Sequence, residues 1–290
     1  MGILDCDPGQ CVPRANVDDA VVIAVLAGLR PERYINQIVT VFGNTPAEIG
    51  YDCARQLLGV LGFEVAVRCG ALAPQAGNAD YWAHRLHHPA VPVAPRPDVE
   101  LSRYCDADVI AIGPLTNIAH ALGAGYSPRH VYLMGGALQG DLIDTNCAVD
   151  PLAAHAVISS TVPLTVVPLD VTRTTCLSAE RWGRVYHELG RTNATVADSL
   201  NAWVQPWIEY SRRTRPVNGM WVHDLVALVA YLIDCGVVDA SVISTESARL
   251  GADRCTGKLR HCDDGWTIRL VTAVDNERLI EVMESALLAL

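Results

Sequence analysis

The sequence predicts an α/β fold: a mostly parallel sheet flanked by helices, Rossmann-like, in one large domain over residues 1–290. Three observations predict it. Short β-branched runs alternate with helical patterns, as in parallel strands joined by helical crossovers. Polar motifs follow those runs, where open α/β sheets place their ligands. Half of the 290 residues are hydrophobic, enough for a large core.

The predicted strands cover residues 2–6, 36–42, 64–68, 108–112, 130–134 and 164–168. The predicted helices cover 18–29, 46–61, 115–123, 151–158, 178–189, 193–212, 223–233 and 276–289. Pro8-Gly9 ends the first strand, and Asp18 and Asp19 open the first helix, where acidic side chains suit the dipole. Residues 89–98 are too proline-rich for a regular element and read as an extended loop. The chain has no internal repeat and no low-complexity tract.

Composition excludes several functions. The formal charge of −10 argues against a nucleic-acid surface, which needs clustered basic charge. No apolar run reaches the length of a membrane span, and the start lacks a basic segment before an apolar one. The expectation is a cytoplasmic protein acting on a small molecule. None of the ten cysteines forms a C-x-x-C pair, so buried free thiols are expected.

The start of the chain carries the chemistry. Asp5 and Asp7 stand at i and i+2 and share one face of a strand, while Cys6 points to the other. With Asp18 and Asp19 they bring four carboxylates to one strand end. Their mutual repulsion calls for a hard divalent cation among them. Gly43-Asn44, Gly113-Pro114-Leu115-Thr116-Asn117, Met134-Gly135-Gly136 and Asp170-Val171-Thr172 follow later strands, so all of them describe one cleft.

This ordered set resembles the nucleoside hydrolases of the inosine–uridine-preferring type. Asn146, Val149-Asp150-Pro151 and His223-Asp224 extend the likeness over nearly the whole chain. The resemblance implies the nucleoside hydrolase fold and calcium-dependent hydrolysis of the N-glycosidic bond of ribonucleosides. It also implies a place in purine or pyrimidine salvage and a homodimer or homotetramer. It assigns Ca2+ to Asp7, Asp19, the Thr116 carbonyl and Asp224. It assigns the ribose to Asp18, Asn44, Met134, Asp144 and Asn146. On physical grounds Asp7 is then the general base toward a water, and His223, placed just before Asp224 and with a suitable pKa, is the expected proton donor to the leaving group.

The chain departs from the family's pattern in three places. Eight residues, Gln10 to Val17, separate Gly9 from Asp18 where the family has one. They read as a loop that leaves the strand end and returns, with Arg14 able to reach the pocket mouth and with Gly9 and Asn16 supplying unusual dihedrals. The family's His-Gly over the base is missing; Trp82 and His84 stand in that region, and Tyr210 lies on the helical stripe Trp203, Trp207, Tyr210. The helix before the Gly-Pro-Leu-Thr-Asn strand gives way to the proline-rich loop.

Two rival functions compete. Asp-x-Asp after a first strand also opens haloacid-dehalogenase-type phosphatases, which need a late lysine, here only Lys258. A calcium- and ribose-binding protein without catalysis is the other.

Overall fold

The computed structural model describes residues 2–75 and 98–290. Strands β1 (Gly2–Cys6), β2 (Ile35–Thr40), β3 (Ala66–Cys69), β4 (Asp108–Ala111), β5 (His130–Met134) and β6 (Leu164–Val167) coincide with the predicted runs, their ends shifted by one or two residues. Residues β7 (Leu177–Ser178) and β8 (Gly219–Met220) pair as a small separate ribbon. Strands β9 (Ile243–Ala252), β10 (Leu259–His261) and β11 (Trp266–Val274) complete a nine-stranded sheet in the order β10-β9-β11-β6-β5-β4-β1-β2-β3. From β11 to β3 all neighbours are parallel; β9 and β10 add an antiparallel edge.

That edge has no counterpart in the sequence prediction. Its pattern is faint because Ser244 to Ser247 are exposed and only Ala248, Leu250 and Ala252 of β9 are buried. The proline-rich residues 89–97 lie outside the described part of the chain.

All eight predicted helices form: α1 (Asp18–Gly28), α2 (Ala47–Leu61), α3 (Thr116–Gly123), then a short α4 (Thr145–Val149), α5 (Pro151–Ile158) and a short α6 (Leu169–Thr172). They continue as α7 (Ala179–Thr192), α8 (Ala194–Thr214), α9 (His223–Asp234) and α10 (Asn276–Leu287). The short helices α4 and α6 are additions to the prediction. Helix α1 is apolar on every side, and Asp18 to Ala27 are all buried beneath α2, α9 and α10.

The pleat of β1 sorts its side chains. Leu4 and Cys6 enter the core built by α1, α2, α9 and α10, whereas Ile3 enters the core under α3 and α5. The Cys6 thiol reaches the Val39 carbonyl of β2 at 3.8 Å. All ten cysteines are free thiols, but only Cys6, Cys53, Cys69 and Cys147 are buried. The others sit on loops and element ends, which corrects the expectation of burial.

Strand β1 pairs with β2 on one side and β4 on the other, so the chain winds in opposite directions from it. Such a switch point opens a crevice at the carboxyl ends of the strands. The strand-end motifs therefore meet around β1.

Candidate active site

Just past β1, Asp7 is held from two directions. Its backbone N–H donates to Asp19 Oδ1 at 2.9 Å, and its Oδ2 accepts from the Asn44 N–H at 2.6 Å. Asn44 Nδ2 in turn donates to Asp19 Oδ2 at 3.2 Å. This closeness explains Gly43, where a Cβ would lie 1.8 Å from Asp7 Oδ2.

The carboxylates converge as expected, with one difference in grouping. Asp18, Asp19 and Asp224 place ligand oxygens within 4.8 Å of one another, and Asp7 borders them through Asp19. All four are buried. Asp7 Oδ1 and both Asp18 oxygens have no hydrogen-bond partner. Burial, then Asp19, pushes the Asp7 carboxyl well above its usual range. Burial and the neighbouring Asp18 do the same to Asp224, and they push Asp19 up to about 8. A divalent cation reverses both causes at once. Orphaned buried carboxylate oxygens of this hardness fit a calcium-like ion.

Asp5 plays a different part. Tyr104 Oη donates to its Oδ2, and Asn117 Nδ2 donates to the same oxygen at 3.1 Å. Asn117 Oδ1 accepts from the Ala71 N–H at 2.8 Å. Burial pushes the Asp5 carboxyl up to about 7 against these donors. Asp5 thus ties β1 to α3 and to the chain after β3, away from the cavity.

Over the carboxylates opens a cavity of about 620 Å³. Asp18, Asp224, Asn44, Met134, Asp144, Asn146, His223 and Tyr210 all line it. Asn146 Nδ2 donates to the carbonyls of Ile112 at 3.0 Å and Met134 at 3.1 Å, bridging the ends of β4 and β5. Asp144 caps α4 by accepting from the Cys147 N–H at 3.0 Å. The loop before Asp144 rests on the β9–β10 turn: the Leu259 N–H donates to the Ala137 carbonyl at 3.2 Å, and Lys258 Nζ donates to the Gly140 carbonyl.

Thr116 stands apart from this group. It is the first residue of α3, fully buried, and its hydroxyl donates to Asp150 Oδ2 at 2.7 Å. Just past β4 the residue that borders the cavity is Ile112. Trp82 and His84 lie outside the described residues.

His223 opens α9 and lies against the cavity with Nδ1 2.7 Å from Thr172 Oγ1. Burial, then Arg215 and Arg173, lower its pKa to about 3. The ring is therefore neutral at pH 7. The expectation of a ready imidazolium donor overlooked these neighbours, which no local motif announces.

Residues 10–15 form consecutive turns, and Arg14, Ala15 and Asn16 line the cavity. The left-handed dihedral falls on Arg14 (φ 73°), not on Gly9 or Asn16. The stripe on α8 serves two purposes: Trp207 is buried in the core yet lines the cavity with Tyr210. Arg173, Arg215 and Trp221, also in the lining, were not anticipated.

Solved nucleoside hydrolases share this architecture. A purine-preferring ribonucleoside hydrolase from Gardnerella vaginalis superposes with a TM-score of 0.77 at 24% identity, covering 99% of this chain and 98% of that one. A plant nucleoside hydrolase gives 0.75 at 20% identity, with 98% of each chain covered. In sequence, a non-specific ribonucleoside hydrolase of Salmonella agona, RihC, is 32% identical over 256 residues, 80% of this chain and 78% of its own. The family model of the inosine-uridine preferring nucleoside hydrolases matches residues 2–281. The chain belongs to that family and is a hydrolase of ribonucleoside N-glycosidic bonds.

Proposed function

We propose that this chain is a calcium-dependent ribonucleoside hydrolase that releases nucleobase and ribose. The observation that supports it is the set of buried, unpartnered oxygens on Asp7 and Asp18 beside Asp19 and Asp224. Asp7, Asp19 and Asp224 would hold the ion. When bound, calcium supplies Lewis acidity toward a water and a counter-charge to the cluster.

The chain's own residues do the rest. Asp18, Asn44, Asp144 and Asn146 would take the ribose hydroxyls, and Met134 would pack against the sugar. Asp7 accepts the proton of the attacking water through its free Oδ1. The C1′–O bond forms as the C1′–N bond breaks, and the bonding pair leaves with the base. Nearby carboxylates stabilise the positive charge that develops on the sugar. His223, neutral, contributes a ring N–H to the departing base when Thr172 donates to Nδ1.

The phosphatase rival needs a free nucleophile at Asp5, whereas Tyr104 and Asn117 engage that carboxyl and it does not line the cavity. A panel of inosine, adenosine, uridine and cytidine, assayed for released ribose with calcium and with a chelator, tests the proposal. Hydrolysis lost in chelator and restored by calcium is expected. No hydrolysis of any nucleoside in calcium favours the non-catalytic binder. Turnover untouched by the chelator removes the metal from the reaction.

A further inference from the structure

One wall of the cavity carries charge that the hydrolytic mechanism does not use. Arg173 and Arg215 both stand on the ring of Trp221, their guanidinium carbons 5.2 Å and 5.6 Å from its centroid. Arg215 also lies over Trp207 at 4.7 Å. Arg14, from the inserted loop, lines the same cavity.

Among the described residues, none of these three side chains makes an ion pair or a side-chain hydrogen bond, although Arg215 interacts with the charge of Asp18. Exposed arginines need no partner, but Arg173 and Arg215 are half-buried. Other partly buried arginines are paired: Arg181 with Glu284 at 2.8 Å and Arg269 with Asp234 at 2.6 Å. A guanidinium stacked by its face keeps its edge N–H donors free, in the fork that fits a carboxylate.

The wall adjoins His223, the residue proposed to meet the leaving group. Trp221 stands two positions before His223, and the centroids of their rings are 5.5 Å apart. Of the residues assigned to the ribose, Asp144 and Asn146 follow β5, and Asp18 lies near enough to Arg215 to interact with its charge. A substrate with negative charge on its base would also offset the repulsion between these cations.

We propose that Arg173 and Arg215, stacked on Trp221 with Arg14 at the mouth, form an anion-recognition wall that selects ribonucleosides whose base carries a carboxylate. The inference rests on the hydrolase proposal for its reaction. The same wall would stabilise negative charge left on the base as the C1′–N bond breaks.

The test compares kcat/KM for uridine, 5-carboxyuridine, orotidine and uridine 5′-monophosphate. It also compares binding of uracil and uracil-5-carboxylate, followed by tryptophan fluorescence. At least a tenfold preference for a carboxylated base over uridine is expected. Arg173→Met and Arg215→Met should each reduce that preference fivefold or more, with circular dichroism confirming the fold. Uridine equal to both carboxylated substrates, or the 5′-monophosphate preferred over them, overturns the inference. If nothing is hydrolysed but uracil-5-carboxylate binds at least tenfold tighter than uracil, the wall stands and the hydrolase proposal fails. Equal binding of the two free bases overturns the wall itself.

Discussion

The backbone N–H of Asp7 donates to the side chain of Asp19 across twelve positions of chain, at 2.9 Å. This one bond joins the end of β1 to the first turn of α1, so the residues between them leave and return without separating the carboxylates. Shortening the stretch between Gly9 and Asp18 to one residue should therefore preserve calcium binding. Because Arg14, Ala15 and Asn16 line the cavity, the same deletion should change KM. Isothermal titration with calcium and a nucleoside saturation curve check both halves.

Asp7→Ala should lower kcat by about 10²–10⁴-fold while the fold persists, the usual cost of a lost catalytic base. Retention of more than a tenth of the rate in steady-state assays would remove Asp7 from that role.

Gly43→Ala tests the cradle without touching a carboxylate. The added methyl would lie 1.8 Å from Asp7 Oδ2, so Asp7 or the Asn44 turn must move. Calcium affinity should drop at least tenfold, read by titration, with little loss of secondary structure.

Calcium should stabilise the protein, and more so as pH rises. Asp19 is raised to about 8 and Asp5 to about 7, both mainly by burial. Between their unfolded values near 4 and these folded values, the native state binds more protons than the unfolded one. Stability of the calcium-free protein is therefore greatest below pH 4 on this account and falls until about pH 8. Calcium at 100 times its dissociation constant adds about 2.7 kcal/mol, or about 4 °C in Tm for a chain of this length. Melting curves in chelator and in calcium at pH 5 and pH 8 should show the larger gap at pH 8.

His223 should not contribute an acidic limb to the rate–pH profile above pH 5, because its folded pKa is about 3 and the ring has already lost its proton there. His223→Ala should slow nucleosides with poor leaving groups more than a nitrophenyl riboside, which departs without help. Equal losses on both substrates would make the residue purely structural.

The strand-end logic was legible in the sequence. β1 to β6 and the eight long helices follow from apolar periodicity, and Asn44, Asn146 and Asp224 meet at the cavity, with Asp7 bonded to Asn44, because each follows a parallel strand or lies at the start of a helix. What escaped is what depends on distant neighbours. The exposed half of β9 hides a strand in polar sequence. Arg173 and Arg215 are forty-two positions apart and become partners only through Trp221. Asp5 and Asp7 share one face, yet a tyrosine from residue 104 claims the first, while the second sits against Asp19 and Asn44.

The β9–β10 turn has a bearing on how the protein fails. Its residues carry the loop that leads to Asp144, through the Leu259–Ala137 and Lys258–Gly140 contacts, while β10 is a three-residue edge strand bonded on one side only. Edge elements open at lower free energy than the centre of a sheet. Heating should therefore loosen the sugar-facing loop first, and inactivation should run ahead of the loss of helical signal.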